Sequence, residues 1–124
     1  RGGSDTTAVA IATREPYQAV YDTINFYGKQ ETLRKGQKHR SSARRGVYKP
    51  TIDKVMEHYG WEWVPMLTIG QKGRTHMKKS ELPGGRIVVR LAGHCAAVIN
   101  GTLYDTWDCS NGGKRCVYGY WRKA

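Results

Sequence analysis

The stretch GHCAAVINGTLYDTWD, residues 93–108, contains a sequence signal that sets the register of a β-hairpin. Two apolar runs flank Asn100-Gly101, and Asn-Gly between apolar runs is typical of a two-residue hairpin turn because both positions accept a positive φ. Such a turn pairs Ile99 with Thr102 and thereby fixes every other pair of the hairpin.

The register predicts which side chains share a face. Side chains alternate between faces along a strand, so one face is expected to carry His94, Ala96, Asp105 and Trp107. His94 and Asp105 are diagonal neighbours, about 7–8 Å apart at the backbone and within side-chain reach. A His–Asp pair on adjacent strands supplies the base and the orienting acid of a nucleophilic hydrolase. A surface pair or a satisfied core histidine is the alternative, and a nucleophile elsewhere would decide between them.

Length and composition predict one domain that spans residues 1–124, with 39% hydrophobic residues. No apolar run approaches the roughly 18 residues of a membrane span and no signal peptide is recognisable, so a cytoplasmic protein without membrane contact is expected. The 3 cysteines are odd in number and lack Cys-x-x-Cys spacing. They are expected to be reduced, and neither a metal nor a cofactor is expected.

The net charge of +11 favours nucleic acid or another acidic partner. The charge is concentrated in residues 29–49, KQETLRKGQKHRSSARRGVYK, a stretch with few apolar residues that is predicted to be a flexible basic loop. The loop either binds an acidic partner or is a solvated connector. The candidate binding residues are Arg34, Lys35, Lys38, Arg40, Arg44 and Arg45. No recognition helix, zinc finger or aromatic RNA-binding motif accompanies them, so sequence-specific readout is not expected.

Helices are predicted on both sides of the basic loop, and strands follow them. Small apolar residues over 5–13 predict a tightly packed helix that Ser4 or Asp5 can cap. Apolar residues at helical spacing predict a second helix with Pro16 in its first turn, and a third helix that Thr51 caps.

Four stretches then predict strands: WEWVPMLTI, whose alternation is broken by Pro65 as in an edge or a bent strand; RIVVRLA; the hairpin; and VYGYW. Helices first and an antiparallel sheet last predict an α+β fold, with the N-terminal helices packed on the C-terminal sheet.

A candidate nucleophile lies at the start of the first helix. A side chain at Ser4 benefits from the helix dipole and from the free N–H groups of the first turn, which can hold an oxyanion. A capping role is the ordinary reason for serine at such a position. Cys95 is expected to be a small buried residue on the face opposite His94, and Cys109 is the better candidate among the cysteines.

A nucleophile at a helix start, a strand-borne His and an acid on the next strand resemble the papain-like cysteine peptidases, in which Cys opens the central helix. Asp105-Thr106-Trp107 resembles the Asn-Ser-Trp of papain-type enzymes. More narrowly, the chain is similar to a group of small phage-encoded papain-like proteins. The matching stretches are AVAIATREPYQAVYD, GWEWVPMLTIG, ELPGGRIVVRLAGH, VINGTLYDTWD and RCVYGYW.

The resemblance implies a papain-like thiol hydrolase, a peptidase or isopeptidase acting on a protein or peptide in the host cytoplasm. His94 would be the general base and Asp105 the orienting acid. The cysteine of the family falls at Ser4, so this chain has a hydroxyl where the family has a thiol. Either the serine was introduced to silence the enzyme or the protein has diverged, and little turnover is expected in both cases.

Two further expectations accompany this interpretation. Trp107 is expected either to cover the His94–Asp105 pair and exclude water or to anchor the core. The alternative function is that of a non-catalytic basic protein, which uses its charged loop to bind nucleic acid or an acidic host protein.

Overall fold

A computed structural model of the chain describes residues 4–33, 35–65, 83–91, 94–104 and 118–124, with the backbone alone at Ser4 and His94. Within these ranges the fold is α+β, as predicted, with three helices and a five-stranded antiparallel sheet. The helices are α1 (Ser4–Thr13), α2 (Tyr17–Gly28) and α3 (Lys49–His58). The strands are β1 (Trp61–Pro65), β2 (Arg86–Leu91), β3 (His94–Ile99), β4 (Thr102–Tyr104) and β5 (Gly119–Lys123).

The hairpin between β3 and β4 has the predicted register. Ile99 pairs with Thr102, and the next two pairs follow in step to the pair of Ala97 with Tyr104. Both turn residues have a positive φ, 50° at Asn100 and 81° at Gly101. The turn chemistry of Asn-Gly therefore sets this register, as expected for a two-residue loop.

The strand order in the sheet is β1-β5-β2-β3-β4. Strand β1 lies at an edge of the described sheet and contains Pro65, which agrees with the edge alternative because proline cannot donate a ladder hydrogen bond. The last strand in sequence, β5, lies between β1 and β2 and pairs with both. The sheet is therefore completed in its interior by the residues around Trp121.

The two faces of the sheet carry two separate apolar clusters. The helix-side cluster joins the buried faces of α1, α2 and α3 to Val88, Cys95, Ala97 and Trp121. The opposite-face cluster contains Ile87, Val89, Leu91, Ala96, Val98 and Tyr120. Neighbouring residues of β2 and β3 thus alternate between clusters, which is the period of two that a sheet buried on both faces requires.

The predicted cap of the third helix was wrong. The N-cap lies three residues earlier, at Tyr48, so helix α3 begins at Lys49 with Pro50 in the first turn. Proline is favoured there because the first helical N–H groups have no partner inside the helix. The Thr51 hydroxyl instead donates a hydrogen bond to the Glu31 carboxylate, so a tertiary contact takes the place of the expected local cap.

The basic stretch between α2 and α3 is fixed to the helices from residue 40 to residue 48. Ser41, Ala43 and Val47 are buried. The backbone N–H of Ala43 donates to Asn25 Oδ1 at 2.9 Å, and that of Val47 donates to Asp5 Oδ2 at 3.0 Å. These side chains supply partners that the irregular backbone would otherwise lack. The predicted flexibility over 29–49 stays a prediction, but these contacts hold its second half against the core.

Glu31 holds the same stretch from its other side. Its carboxylate accepts hydrogen bonds from the Ser41 backbone at 2.7 Å and from the Thr51 hydroxyl. Burial would raise the pKa of Glu31, but these hydrogen bonds, together with the nearby Lys54 charge, hold it below its ordinary value. The ionised carboxylate therefore ties the basic stretch to the start of α3 at neutral pH.

A glycine at the end of α2 lets the basic stretch approach the helix. A Cβ atom at Gly28 would lie 2.0 Å from the Ser41 carbonyl oxygen and 2.9 Å from its carbonyl carbon, both of them backbone atoms. Gly28→Ala is therefore expected to lower the free energy of unfolding by about 1–3 kcal/mol, the usual effect of overpacking. Urea denaturation of the variant and the parent protein would measure the difference.

Gly84→Ala is the matched control for Gly28→Ala. The nearest atom to a Cβ at Gly84 is Asn100 Oδ1 at 3.7 Å, which is an ordinary contact distance. This control is expected to change stability by no more than about 0.5 kcal/mol. Equal effects of the two substitutions would show that the Gly28–Ser41 approach does not constrain the fold.

Candidate active site

The structure places two members of the predicted triad at the ends of elements that pack together. Ser4 is the first residue of α1, and His94 is the first residue of β3. Helix α1 packs more extensively against β3 than against β2 or α2. Asp105 and Trp107 lie outside the described residues, so their predicted places in the hairpin are not tested.

The residues that follow Ser4 and His94 in sequence are neighbours in space. The Asp5 carboxyl lies beside the Cys95 thiol, near enough to act on its pKa. Because Asp5 is next to Ser4 and Cys95 is next to His94, this contact brings the backbone of the two predicted site residues close to each other. This juxtaposition is the main geometric support for a site at the N-terminus of α1.

Small side chains on α1 permit this close approach. Ala8, Val9 and Ala12 are buried in the helix-side cluster, and all three are compact enough to let the helix axis lie near the sheet. The N-terminal turn of α1 is therefore held at the end of β3 by the packing of the rest of the helix.

The first turn of α1 also contains buried polar atoms without partners. Within the described part of the chain, Asp5 Oδ1 and Thr6 Oγ1 are buried and have no hydrogen-bond partner. Such atoms are rare in folded proteins, and a functional site is one recognised reason for them. Asp5 was one of two predicted caps of α1. In the structure its Oδ2 atom accepts a hydrogen bond from the backbone N–H of Val47 in the basic stretch.

Cys95 is a buried core residue, as predicted, and its chemistry does not suit a nucleophile. Burial and the nearby Asp5 charge raise the pKa of the Cys95 thiol to about 12, although the Arg90 guanidinium acts in the opposite direction. The thiol is therefore protonated at neutral pH, and the nucleophilic form is the thiolate. Cys95 is therefore unsuited to be the nucleophile, and Cys109 lies outside the described residues.

The sheet face predicted for the His94–Asp105 pair is not the face on which α1, with the predicted nucleophile, packs. Ala96 shows the difference. Ala96 belongs to the opposite-face cluster, whereas α1 packs on the side of Cys95 and Ala97. The sequence-based alternation groups His94 with Ala96, and the triad requires it to meet position 4. The two predictions therefore demand different faces of the sheet at this point.

The basic residues predicted from the sequence lie on the surface. Lys35, Lys38, Arg40, Arg44 and Arg45 are all exposed, and Arg34 is outside the described residues. Two of them, Arg40 and Arg45, line a cavity of about 240 Å³ together with Arg90 and Tyr48. The composition of the stretch indicated the charge, but the contribution of Arg90 from β2 had no signal in the sequence.

A second and larger cavity adjoins the first. It has a volume of about 660 Å³ and shares Tyr48 and Arg90 with the smaller one. Its other lining residues include Glu31, which follows α2, and Lys49 and Lys54 of α3. Because a carboxylate lines this cavity, its charge is mixed, unlike that of the smaller cavity.

In the described ranges no group of three or more His, Cys, Asp or Glu side chains is arranged to hold a metal ion. None of the helices there has both the length and the apolar character needed to cross a membrane.

Comparison of the chain with protein-family models, with curated proteins and with solved structures finds no match. The papain-like assignment therefore stays a prediction from the sequence resemblance.

Proposed function

We propose that the protein is a papain-like thiol hydrolase, a peptidase or isopeptidase whose nucleophile position is occupied by Ser4 in this chain. The observation that supports this most directly is the contact between Asp5 and Cys95, which brings the N-terminus of α1 to the beginning of β3. A nucleophile on a helix N-terminus and a base on the adjoining strand are the arrangement that acyl transfer through a covalent intermediate needs.

In the proposed reaction, the side chain at position 4 attacks an acyl carbon of the substrate. His94 takes the proton of the nucleophile and later returns it to the leaving group, while Asp105 holds the imidazole in the required tautomer. Free N–H groups in the first turn of α1 are available to stabilise the oxyanion. With serine at position 4 little turnover is expected, because this chemistry depends on a preformed thiolate.

The proposal sets a structural requirement on β3. The His94 imidazole has to reach the side of the sheet on which α1 packs, from the first position of the strand. In the described ladders β3 pairs with β4 from Ile99 to Ala97 and with β2 along its whole length, where His94 lies opposite Leu91 of the opposite-face cluster. This register groups position 94 with the opposite-face cluster, so the proposal requires the first residue of β3 to depart from that alternation.

Ser4→Cys is the test of this function. At pH 6 an ordinary thiol with a pKa near 8.5 is about 0.3% thiolate, so a preformed thiolate reacts up to about 300-fold faster. The folded variant is expected to react with a thiol-directed acylating probe at position 4, faster by up to that factor than the same chain in denaturant. Peptide mapping by mass spectrometry would separate this label from labels on the natural cysteines.

The unchanged chain with Ser4 is the control and is expected to remain unlabelled at that position. Absence of label at position 4 in the folded Ser4→Cys variant would refute the assignment of the nucleophile.

A further inference from the structure

The smaller cavity is lined by positively charged side chains from two separate parts of the chain. Its lining includes His39, Arg40 and Arg45 from the basic stretch and Arg90 from β2. Within the described residues no carboxylate lines it. Guanidinium groups bind carboxylates and phosphates through two parallel hydrogen bonds, so this lining is suited to a compact oxyanion.

Among the described residues, the arginine side chains that line the cavity form hydrogen bonds to uncharged groups. Arg40 donates from Nε to the Glu31 carbonyl oxygen at 2.8 Å, and Arg90 donates to the Cys95 sulfur at 3.2 Å. Arg45 contacts the Nδ1 atom of His39. These partners orient the guanidinium groups and carry no charge that would neutralise them, so an anion between the described arginines would gain from their positive charge.

The backbone around the cavity is organised before any ligand binds. Ser42 and Gly46 exchange two backbone hydrogen bonds of 3.0 Å, which close the turn that carries Arg44 and Arg45. The N–H of Tyr48 donates to Ser41 Oγ at 2.9 Å. Less ordering is therefore needed on binding, which favours affinity.

The cavity is connected to the proposed active site through two paths of contacts. Arg90 contacts Cys95, which lies beside Asp5, and Val47 of the cavity wall donates its N–H to Asp5 Oδ2. Both paths end at the residue that follows Ser4. An anion in the cavity would thus lie close to the N-terminus of α1.

We propose that this cavity is a substrate subsite that binds a single acidic side chain of the peptide or protein acylating position 4. The inference rests on the proposed hydrolase function and names the class of substrate. The volume of about 240 Å³ is below the range of about 300–1,000 Å³ that is usual for drug-sized ligands, so it admits one small group.

Binding is tested first, without any reaction. N-acetyl-glutamate N-methylamide and its glutamine counterpart are titrated into the folded protein, with NMR shifts of arginine side chains as the readout. The glutamate compound is expected to bind and the glutamine compound to bind at least tenfold more weakly. Arg45→Gln is expected to weaken glutamate binding by about tenfold or more, since hydrogen bonds to charged groups are involved.

Arg44→Gln is the matched control. Arg44 is the next residue in the same turn, has the same charge and does not line the cavity. It is expected to change the affinity by less than about twofold, because an exposed charge outside the site contributes little. Arg90→Lys is the second variant, which keeps the charge and loses the forked geometry, and it is expected to weaken binding as well.

Reactivity then separates this inference from the proposed function. The Ser4→Cys variant is treated with two acylating probes that differ only in glutamate or glutamine at the acyl residue. Faster labelling by the glutamate probe, abolished by Arg45→Gln, supports the subsite. Equal labelling by both probes overturns the subsite and leaves the hydrolase standing. Glutamate binding without labelling by either probe upholds the anion site and refutes the hydrolase.

Two other results would also overturn the subsite. One is binding of inorganic phosphate in preference to the glutamate compound. The other is binding of a mixed-sequence oligonucleotide that Arg44→Gln and Arg45→Gln weaken equally and that falls steeply with salt, which would mark an extended phosphate-binding surface instead.

Discussion

His94→Ala, introduced into the Ser4→Cys variant, is expected to slow acylation of position 4 by about 10²–10⁴-fold, the usual contribution of a general acid–base group. The proposed imidazole forms an ion pair with the thiolate and later protonates the leaving group. Removing it returns the thiol at position 4 toward an ordinary pKa near 8.5. The rate of labelling, measured from pH 5 to pH 9, should therefore change from a nearly flat profile to one that rises with pH.

His58→Ala is the control for this experiment. His58 is the last residue of α3, and its ring contacts Tyr27 and Tyr59. Its removal is expected to leave the labelling rate and its pH profile unchanged. A His94→Ala variant that is folded, as judged by circular dichroism, and labels as fast as its parent would exclude His94 as the base.

Trp121→Ala is expected to lower the free energy of unfolding by about 3–5 kcal/mol, the usual cost of truncating a large buried aromatic side chain. Trp121 is 1% exposed and lies in β5 between the strands on either side. Its ring packs against Trp63 with the centroids 4.7 Å apart, and its indole N–H donates to Asp53 Oδ1 at 2.9 Å. The substitution removes the packing and leaves Asp53 without this donor, and urea denaturation would measure the loss.

Trp121→Phe separates the two contributions. It keeps most of the ring contact and removes the hydrogen bond to Asp53, and it should cost less than the alanine variant. Tyr118→Ala, at an exposed aromatic residue just before β5, is the control and is expected to change stability by no more than about 0.5 kcal/mol. A Trp121→Ala variant as stable as this control would show that the indole does not anchor α3 to the sheet.

Local chemistry made much of the fold predictable. The hairpin register followed from Asn100-Gly101, because few residue pairs accept two successive positive φ values. Pro65, which cannot donate to a neighbouring strand, indicated an edge or a bent strand, and β1 lies at an edge of the described sheet. Each of these predictions depends on a property of one or two residues and not on contacts with distant parts of the chain.

Features that depend on distant residues were not predictable. The start of α3 was misplaced because Thr51 bonds to Glu31, which is 20 positions away. The interior position of β5 has no signature in GYWRK, since strands at an edge and in the centre can have the same apolar pattern. Burial of Ser41, Ala43 and Val47 was missed for the same reason, because their partners lie on α1 and α2.

The candidate site also has features that local sequence predicts and features that depend on distant residues. Burial of Cys95 and its separation from Ala96 followed from strand alternation, which is local. The face on which α1 packs is a tertiary choice, and it lies on the Cys95 side. The hairpin register groups position 94 with Ala96, whereas the resemblance-based triad requires His94 on the Cys95 side, so the two predictions are independent of each other.

The interior position of β5 also has a consequence for how the chain folds. In the described sheet β1 pairs with β5 alone, so Trp61 has no strand partner until the chain around Lys123 has arrived. Closing so long a loop costs conformational entropy before any contact repays it, and such pairings slow folding. Helix α1 packs mainly on β3 and β2, which are adjacent in sequence and pair with each other. The edge of the sheet that carries Trp61 is therefore expected to close after the part of the sheet on which α1 packs.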